Sequence, residues 1–512
     1  MSRSGLSAYA TRECHAGRSR MTVTLDRDPD LGDLVAVVRD RKPVELGDGA
    51  REAMAETRAV VEEIVAANDR PVYGVNTGFG DLHDVAIDPA DGRQLQRNLL
   101  HANTTVGDPL PVEAVRAAMF ARAAVFAAGH SGVRPDVVER LLDCLNAGVH
   151  PVVGAGGNSD DYGANARIGY VLTGEGEAFY GGERLPGGDA LAAAGIDPLS
   201  VEPKEALPMM DGPALMTGRL GLAVHDAERL LAAADLAGAC TFALLGEQPS
   251  AFSPRVAEVR PNEGDAESAR VVREALALET ETDATVAQDP LSIRTIPQIN
   301  GSAREALANA RPVAATELGA PGDNPLVFPD GVVLSCGGFN GQHVSAAADA
   351  LARALVKVGH AAERRVHLYV QGRGESPPFV AGDPGLESGL VRAHYSAASL
   401  VREAGTLASA SDRNSVVSAG QEDVQSLGTV ATDHLATTVE KIRAAVAVEL
   451  LCAVEVRRLT DAAVPGAAGA VVDGVVDRLD ATDRSVQIET VARLVADGTV
   501  TDLAREAGLD LP

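Results

Sequence analysis

Four stretches of this chain, at about 212–248, 301–318, 340–372 and 430–462, are rich in alanine, leucine, valine, glutamate and arginine. Apolar residues recur there at every third or fourth position. The segment HLATTVEKIRAAVAVELLCAVEVRRL is typical. The pattern predicts helices of roughly 20–35 residues, longer than most globular helices, and such helices pack as a bundle. Aromatic residues make up 3% of the chain and tryptophan is absent. The apolar content of the helices predicts burial on two sides, and hence helix–helix assembly of subunits. Between about 25 and 205 the pattern changes to short helices and glycine-rich loops. Helices are expected across 51–68 (with Asp48 as its cap), 112–128 and 135–147, and a hairpin across GEGEAFYGGERLPGG. The expected organisation is a disordered tail at 1–20, a loop-rich domain at 21–205, a long-helix bundle at 206–465 and a helical cap at 466–512. No repeat of fixed period is visible.

With 512 residues, 46% of them hydrophobic, the chain is far too apolar for disorder and long enough for a large core. No apolar run reaches the roughly 18–20 residues that span a bilayer. The net charge of −27 argues against nucleic acid or an acidic membrane as a partner, because phosphate binding needs a basic field. Only Lys42, Lys204, Lys357 and Lys441 are lysines, so there is no polybasic anchor. Cys14, Cys144, Cys240, Cys336 and Cys452 stand apart without metal-ligand spacing, the pattern of reduced thiols in a cytoplasmic protein with no metal. Residues 1–20 carry four arginines but no apolar stretch of a secretory signal, and read as a tail or as sequence upstream of a start at Met21.

Four segments carry chemistry. PVYGVNTGFG (71–80) places Tyr73 before a loop whose glycines let backbone approach a ligand. GAGGNSDDYG (154–163) is a second such loop. In QDPLSIRTIPQIN (288–300), Arg294 stands alone in an otherwise nearly uncharged segment; its planar fork matches a carboxylate, or it could bond backbone carbonyls. GQED (420–423), with DNPL (323–326) upstream, offers Glu422 as a general acid or base, or simply as a helix-start carboxylate.

YGVNTGFG, QDPxSxRxxPQ, DNPLVF, SCGGFNG and SAGQED occur in the order and spacing of the aromatic amino acid lyases, and the chain resembles that family over roughly residues 30–460. The resemblance implies a mainly α subunit with a fumarase/aspartase-like helical core and a mixed, loop-rich N-terminal part. It further implies a homotetramer whose active sites draw on several chains, and elimination of an amine from an α-amino acid to give an α,β-unsaturated acid. Position by position, Tyr73 matches the tyrosine proposed to remove the β-proton. Arg294 matches the holder of the substrate carboxylate, with Asn324 nearby. Phe339 matches an active-site phenylalanine, and Glu422 a glutamate that faces the substrate ring in histidine-specific members.

The departures concern the family's electrophile, methylidene-imidazolone, which forms by cyclisation of an Ala-Ser-Gly tripeptide. Here the tripeptide reads Asn158-Ser159-Asp160. The glycine nitrogen must attack a carbonyl two residues back in a tight turn, and a Cβ at 160 hinders that. The family asparagine beside the electrophile is Asp211, the second tyrosine is Leu291, the Ser-His pair becomes NLLHANTTVG with His101 displaced, and Val424 follows GQED. Three readings stay open. The chain eliminates an amine without methylidene-imidazolone and with no other cofactor, from a histidine-type betaine that releases trimethylamine, in the manner of ergothionase-type members. Alternatively it is a histidine ammonia-lyase, or a non-catalytic ligand-binding relative. In the first reading Asp160, Asp161 and Asp211 supply negative charge for the cation, although a solvated acidic loop would look the same.

Overall fold

The computed structural model describes residues 21–511 apart from 27, 159, 282–285 and 408. The tail at 1–20, with Cys14, therefore lies outside the described residues. The chain is mainly helical, and its long apolar segments form the helices Ala214–Leu245, Ile296–Gly319, Gln342–Val370 and Gly428–Leu459. Two compact units interleave along the sequence. One comprises Met1–Leu222, Val313–Ser345 and Ser411–Val430; the other comprises Ala223–Pro312, Ala346–Ala410 and Ala431–Pro512. A partition into consecutive domains and these units cut the chain at different places, because a unit is defined by contacts far apart in sequence.

In the first unit the helix Val112–Ala127 is buried almost throughout, the arginines Arg116 and Arg122 included. Its neighbour Pro135–Ala147 begins with proline at the first helical position, where the missing N–H costs nothing, and ends on Gly148 at φ +81°. The helix Asp48–Ala67 has Gly47, not Asp48, at its N-cap, and no side chain caps it; Asp48 instead supplies a negative charge in the first turn. Small sheets fill the gaps. Val23–Leu25 pairs in parallel with Val44–Leu46. The expected hairpin is present as Glu177–Tyr180 against Glu183–Pro186, with His150–Pro151 added antiparallel on the other side.

The second unit is built by close approach of helices. A Cβ added to Gly359 would stand 2.5 Å from Cδ1 of Ile442, and one added to Gly238 would stand 3.0 Å from Cδ1 of Ile296. Glycine and alanine here replace the aromatic bulk the composition lacks. Two ionic groups lie inside this apolar packing. The Arg365 guanidinium donates to both carboxylate oxygens of Glu449 at 2.6 and 2.8 Å, and Thr241 donates to the same carboxylate at 2.7 Å. Asp235 accepts from Ser268, from Asn300 at 2.7 Å and from Arg304 at 2.6 Å. The sequence ends in short helices, Gly466–Val476, Arg484–Ala496 and Thr499–Glu506. No helix among the described residues is long and apolar enough to cross a membrane.

Arg365 and Glu449 are both fully buried. Removing the charge of one leaves the other desolvated and unpaired. Glu449→Gln is therefore expected to lower the unfolding free energy by about 3–5 kcal/mol in chemical denaturation. A loss of less than about 1 kcal/mol, the range of a surface pair, would show that the pair is not isolated from water.

Candidate active site

The first unit holds a cavity of about 560 Å³ whose lining includes Tyr73, Tyr162, Asp211, Asn324, Phe339 and Glu422. Each comes from a segment held in place by its own polar contacts. The loop after Asp48–Ala67 is organised by Asn76. The Asn76 side chain accepts from the Val72 amide at 2.7 Å and donates to Asn68 Oδ1 and the Arg70 carbonyl, both at 2.9 Å. Gly74 lies at φ +72° against Leu207, where a Cβ would approach to 2.6 Å. This turns Tyr73 inward. Its hydroxyl accepts from the Gly80 amide at 3.2 Å, and its ring meets Phe79 edge-on.

Asp211 follows the short helix Ala206–Met210. The buried Arg122 donates to the carbonyls of Pro208 (2.7 Å), Asp211 and Gly212 (3.1 Å), which fixes this turn. The Asp211 carboxylate accepts from the Asn324 amide at 3.0 Å and from the Tyr162 hydroxyl. Asn324 in turn accepts from the Cys336 amide at 2.8 Å. Its neighbour Asp323 is fully buried and receives Lys204 at 2.9 Å and Ser131 at 2.7 Å. Glu422 lies on the loop 411–427, which Asn414 closes by donating to the Asp423 carbonyl at 2.8 Å and accepting from the Gln425 amide at 2.9 Å.

The cavity is electrostatically negative. Burial, with the like charge of Asp323 added, pushes the Asp211 carboxyl up to about 7. Burial and the charge of Asp160 raise Glu422 above the usual carboxylate range. Burial raises both phenols, and Asp211 and Glu422 raise them further. Among the described lining residues His83 is the only basic side chain. Such a site is short of positive charge, and a cation entering it relieves both carboxylates and phenols.

Of the residues expected from sequence, Tyr73, Asp211, Asn324, Phe339 and Glu422 share this cavity. His101 does not line it; on the surface of helix Gly92–Ala102 its Nε2 lies 2.6 Å from Glu175, and its ring meets Tyr170 edge-on. Arg294 belongs to the second unit, where it donates to Gln288 at 2.6 Å, and Leu291 beside it is 62% exposed. Ser159 lies outside the described residues, while Asn158 accepts from the Ala164 amide at 3.4 Å. Tyr162, in the loop GAGGNSDDYG, is a cavity residue that the sequence does not single out. Nothing in its local pattern sets it apart, since only the fold brings it to Asp211.

The family profile of the aromatic amino acid lyases matches residues 30–479. The probable histidine ammonia-lyase of Halobacterium salinarum is 39% identical over 506 residues, covering 93% of this chain and 96% of that protein. The histidine ammonia-lyase of Geobacillus thermodenitrificans is 41% identical over 429 residues, 82% of this chain and 85% of that protein. Among solved structures, histidine ammonia-lyase from Trypanosoma cruzi superposes with a TM-score of 0.89 at 30% identity, over 95% and 96% of the two chains. An ergothionase from Treponema denticola, at TM-score 0.84 and 21% identity over 94% and 99%, shares the fold. The chain belongs to the aromatic amino acid lyase family and is a carbon–nitrogen lyase of the histidine ammonia-lyase type.

Proposed function

We propose that this lyase eliminates trimethylamine from a histidine-type betaine, without a backbone-derived electrophile, to leave an α,β-unsaturated acid. The observation that carries the reading is the acidic and aromatic cavity of Tyr73, Tyr162, Phe339, Asp211 and Glu422. Quaternary ammonium groups are recognised by aromatic faces and negative charge together. The residues at the cofactor position do not fit methylidene-imidazolone. The required glycine is Asp160, whose carboxylate is committed to hydrogen bonds with Ser426, and the asparagine that contacts the group in the family is Asp211. A quaternary nitrogen has no lone pair with which to attack an electrophile, so a site for such a substrate has no use for one.

In this reading Tyr73 is the base. Its raised proton affinity makes the phenolate strong but scarce in the empty site, and the arriving cation offsets the field of Asp211 and Glu422 and lowers that affinity. The phenolate takes the β-proton. The C–H electron pair becomes the Cα–Cβ double bond, and the Cα–N pair leaves with neutral trimethylamine. Arg294 binds the substrate carboxylate from a neighbouring subunit of a homotetramer, Asn324 and Phe339 orient the substrate, and Glu422 faces the ring. A second reading, loss of ammonia from histidine, is favoured by relatives at about 40% identity named for that activity.

A screen of ergothioneine, hercynine, histidine, tyrosine and phenylalanine, followed by absorbance of the conjugated acid, separates the readings. Turnover of the betaines alone is expected. Turnover of histidine, or an intact mass two waters below that of the sequence, would favour the second. With the substrate found, Tyr73→Phe should lower kcat by roughly 10²–10⁴-fold with little change in binding. Sedimentation at micromolar concentration should show a tetramer, and a monomer would remove the shared site.

Asp211 gives a pH signature. Its folded-state value of about 7 lies above the ordinary aspartate value, so the folded state holds a proton the unfolded chain has released. Its burial therefore costs stability progressively from about pH 4 to pH 7. Asp211→Asn should raise the Tm at pH 8 and leave it unchanged at pH 4. Affinity for a betaine should rise through about pH 7 in the parent and lose that step in Asp211→Asn.

A further inference from the structure

The aspartate that ends the former cofactor tripeptide has partners that lead to the other side of the cavity. The Asp160 carboxylate accepts from the Ser426 hydroxyl, from the Ser426 amide at 3.1 Å, and from the amides of Leu427 and Gly428. The Ser426 hydroxyl also accepts from the Gly428 amide at 3.2 Å. Asp161, at φ +61°, continues the joint. Its carboxylate receives the Thr429 hydroxyl at 2.5 Å and the Met216 amide at 2.8 Å, and its own amide donates to Thr429 Oγ1 at 3.1 Å. Two consecutive carboxylates thus grip four consecutive residues, 426–429, which form the root of the loop that carries Glu422.

That loop has little regular structure of its own. Its internal ties include the Asn414 clasp, and the Val417 amide donating to the Glu422 carbonyl and the Gly420 amide to the Val417 carbonyl, both at 3.0 Å. Leu427 stands at φ +54°, a conformation an L-residue adopts only when its surroundings impose it. Gly428 is pressed against Met216, where a Cβ would fall 2.2 Å from the sulfur. The root is therefore held tightly, and what holds it is a carboxylate at the one position where the family's cyclisation needs a glycine.

We infer that Asp160 is a positioning residue, which fixes the loop 411–427 through Ser426–Gly428 and so sets where Glu422 faces the cavity. The substitution that removes the electrophile's glycine is the same one that builds this anchor. The carboxylate can do what a shorter or neutral group cannot: accept several donors at once, as charge-assisted bonds to amides whose directions are already set by Leu427. Glycine at 160 offers no acceptor, and asparagine carries no charge and presents an NH₂ that donates instead. This assignment does not depend on which amine leaves.

The test combines amide hydrogen exchange with a double-mutant cycle on the full chain. In Asp160→Asn and Asp160→Gly, exchange at Ser426, Leu427, Gly428 and Val417 is expected to quicken roughly 10-fold or more, the loss expected for hydrogen bonds to a charged acceptor, while the helix Val112–Ala127 keeps its protection. On whichever substrate the screen identifies, Asp160→Asn should lower kcat in the parent and have no further effect in a Glu422→Gln background. Unchanged exchange across 411–428 in both variants would overturn the inference. So would effects of Asp160→Asn and Glu422→Gln that multiply, because a residue acting through Glu422 has nothing left to act on once that carboxylate is gone. Should no screened compound be turned over, the betaine reading fails and the exchange arm decides the role of Asp160 alone.

Discussion

The cavity depends on Arg122. This guanidinium sits inside a helix that is buried on almost every side, and three of its bonds go to carbonyls of the turn 208–212. Burial lowers its proton affinity to about 10, and the charges of Asp323, Asp211 and Asp161 work against that loss. It stays charged at neutral pH, so one buried cation serves both as the clamp of the turn and as the counter-charge that lets acidic groups gather around it. Without it the Pro208 and Asp211 carbonyls would lose this donor in an apolar interior, while the Gly212 carbonyl would keep Asn165 at 2.8 Å and the Ala214 amide at 3.0 Å.

The same arrangement explains why the site is negative without being unstable. Lys204 and Arg122 are buried, and each is used up on backbone or on Asp323, behind the cavity wall. They partly offset the charge of Asp323 at Asp211, while Glu422 feels the charge of Asp160. A neutral substrate gains little there. A fixed cation gains from both carboxylates and from the phenol rings, and it gains more once it has displaced water.

Much of this architecture is legible in the sequence, for physical reasons that differ by element. Ala214–Leu245 and Gly428–Leu459 are readable because alanine and leucine at helical spacing have no other comfortable structure over thirty residues. The helix Pro135–Ala147 is marked by proline at its start and glycine after its end. The cap at Gly47 is not, because a glycine N-cap bonds through no side chain and Asp48 is the more conspicuous residue. The interleaved units are invisible for a related reason: what joins 313–345 and 411–430 to the first third of the chain is contact, which leaves no local pattern. At the site, Tyr73, Asp211 and Glu422 stand out as members or departures of ordered motifs. Tyr162 is noticed only once the fold brings its hydroxyl to Asp211.

His101 shows the limit from the other side. A histidine near a motif position looks functional, yet its helix turns it toward Glu175, and the resulting hydrogen bond, with Arg97 paired to the same carboxylate, is a surface contact. Asp160 is the opposite case: in sequence it reads as a loss, a side chain where cyclisation needs none. In the fold it is a gain, because a carboxylate at that point can bind a hydroxyl and three amides at the root of the loop that lines the cavity. The two effects cannot be separated, since one Cβ both hinders the tight turn and carries the group that makes the new contacts. Reverting the position to glycine therefore removes an anchor as well as an obstacle.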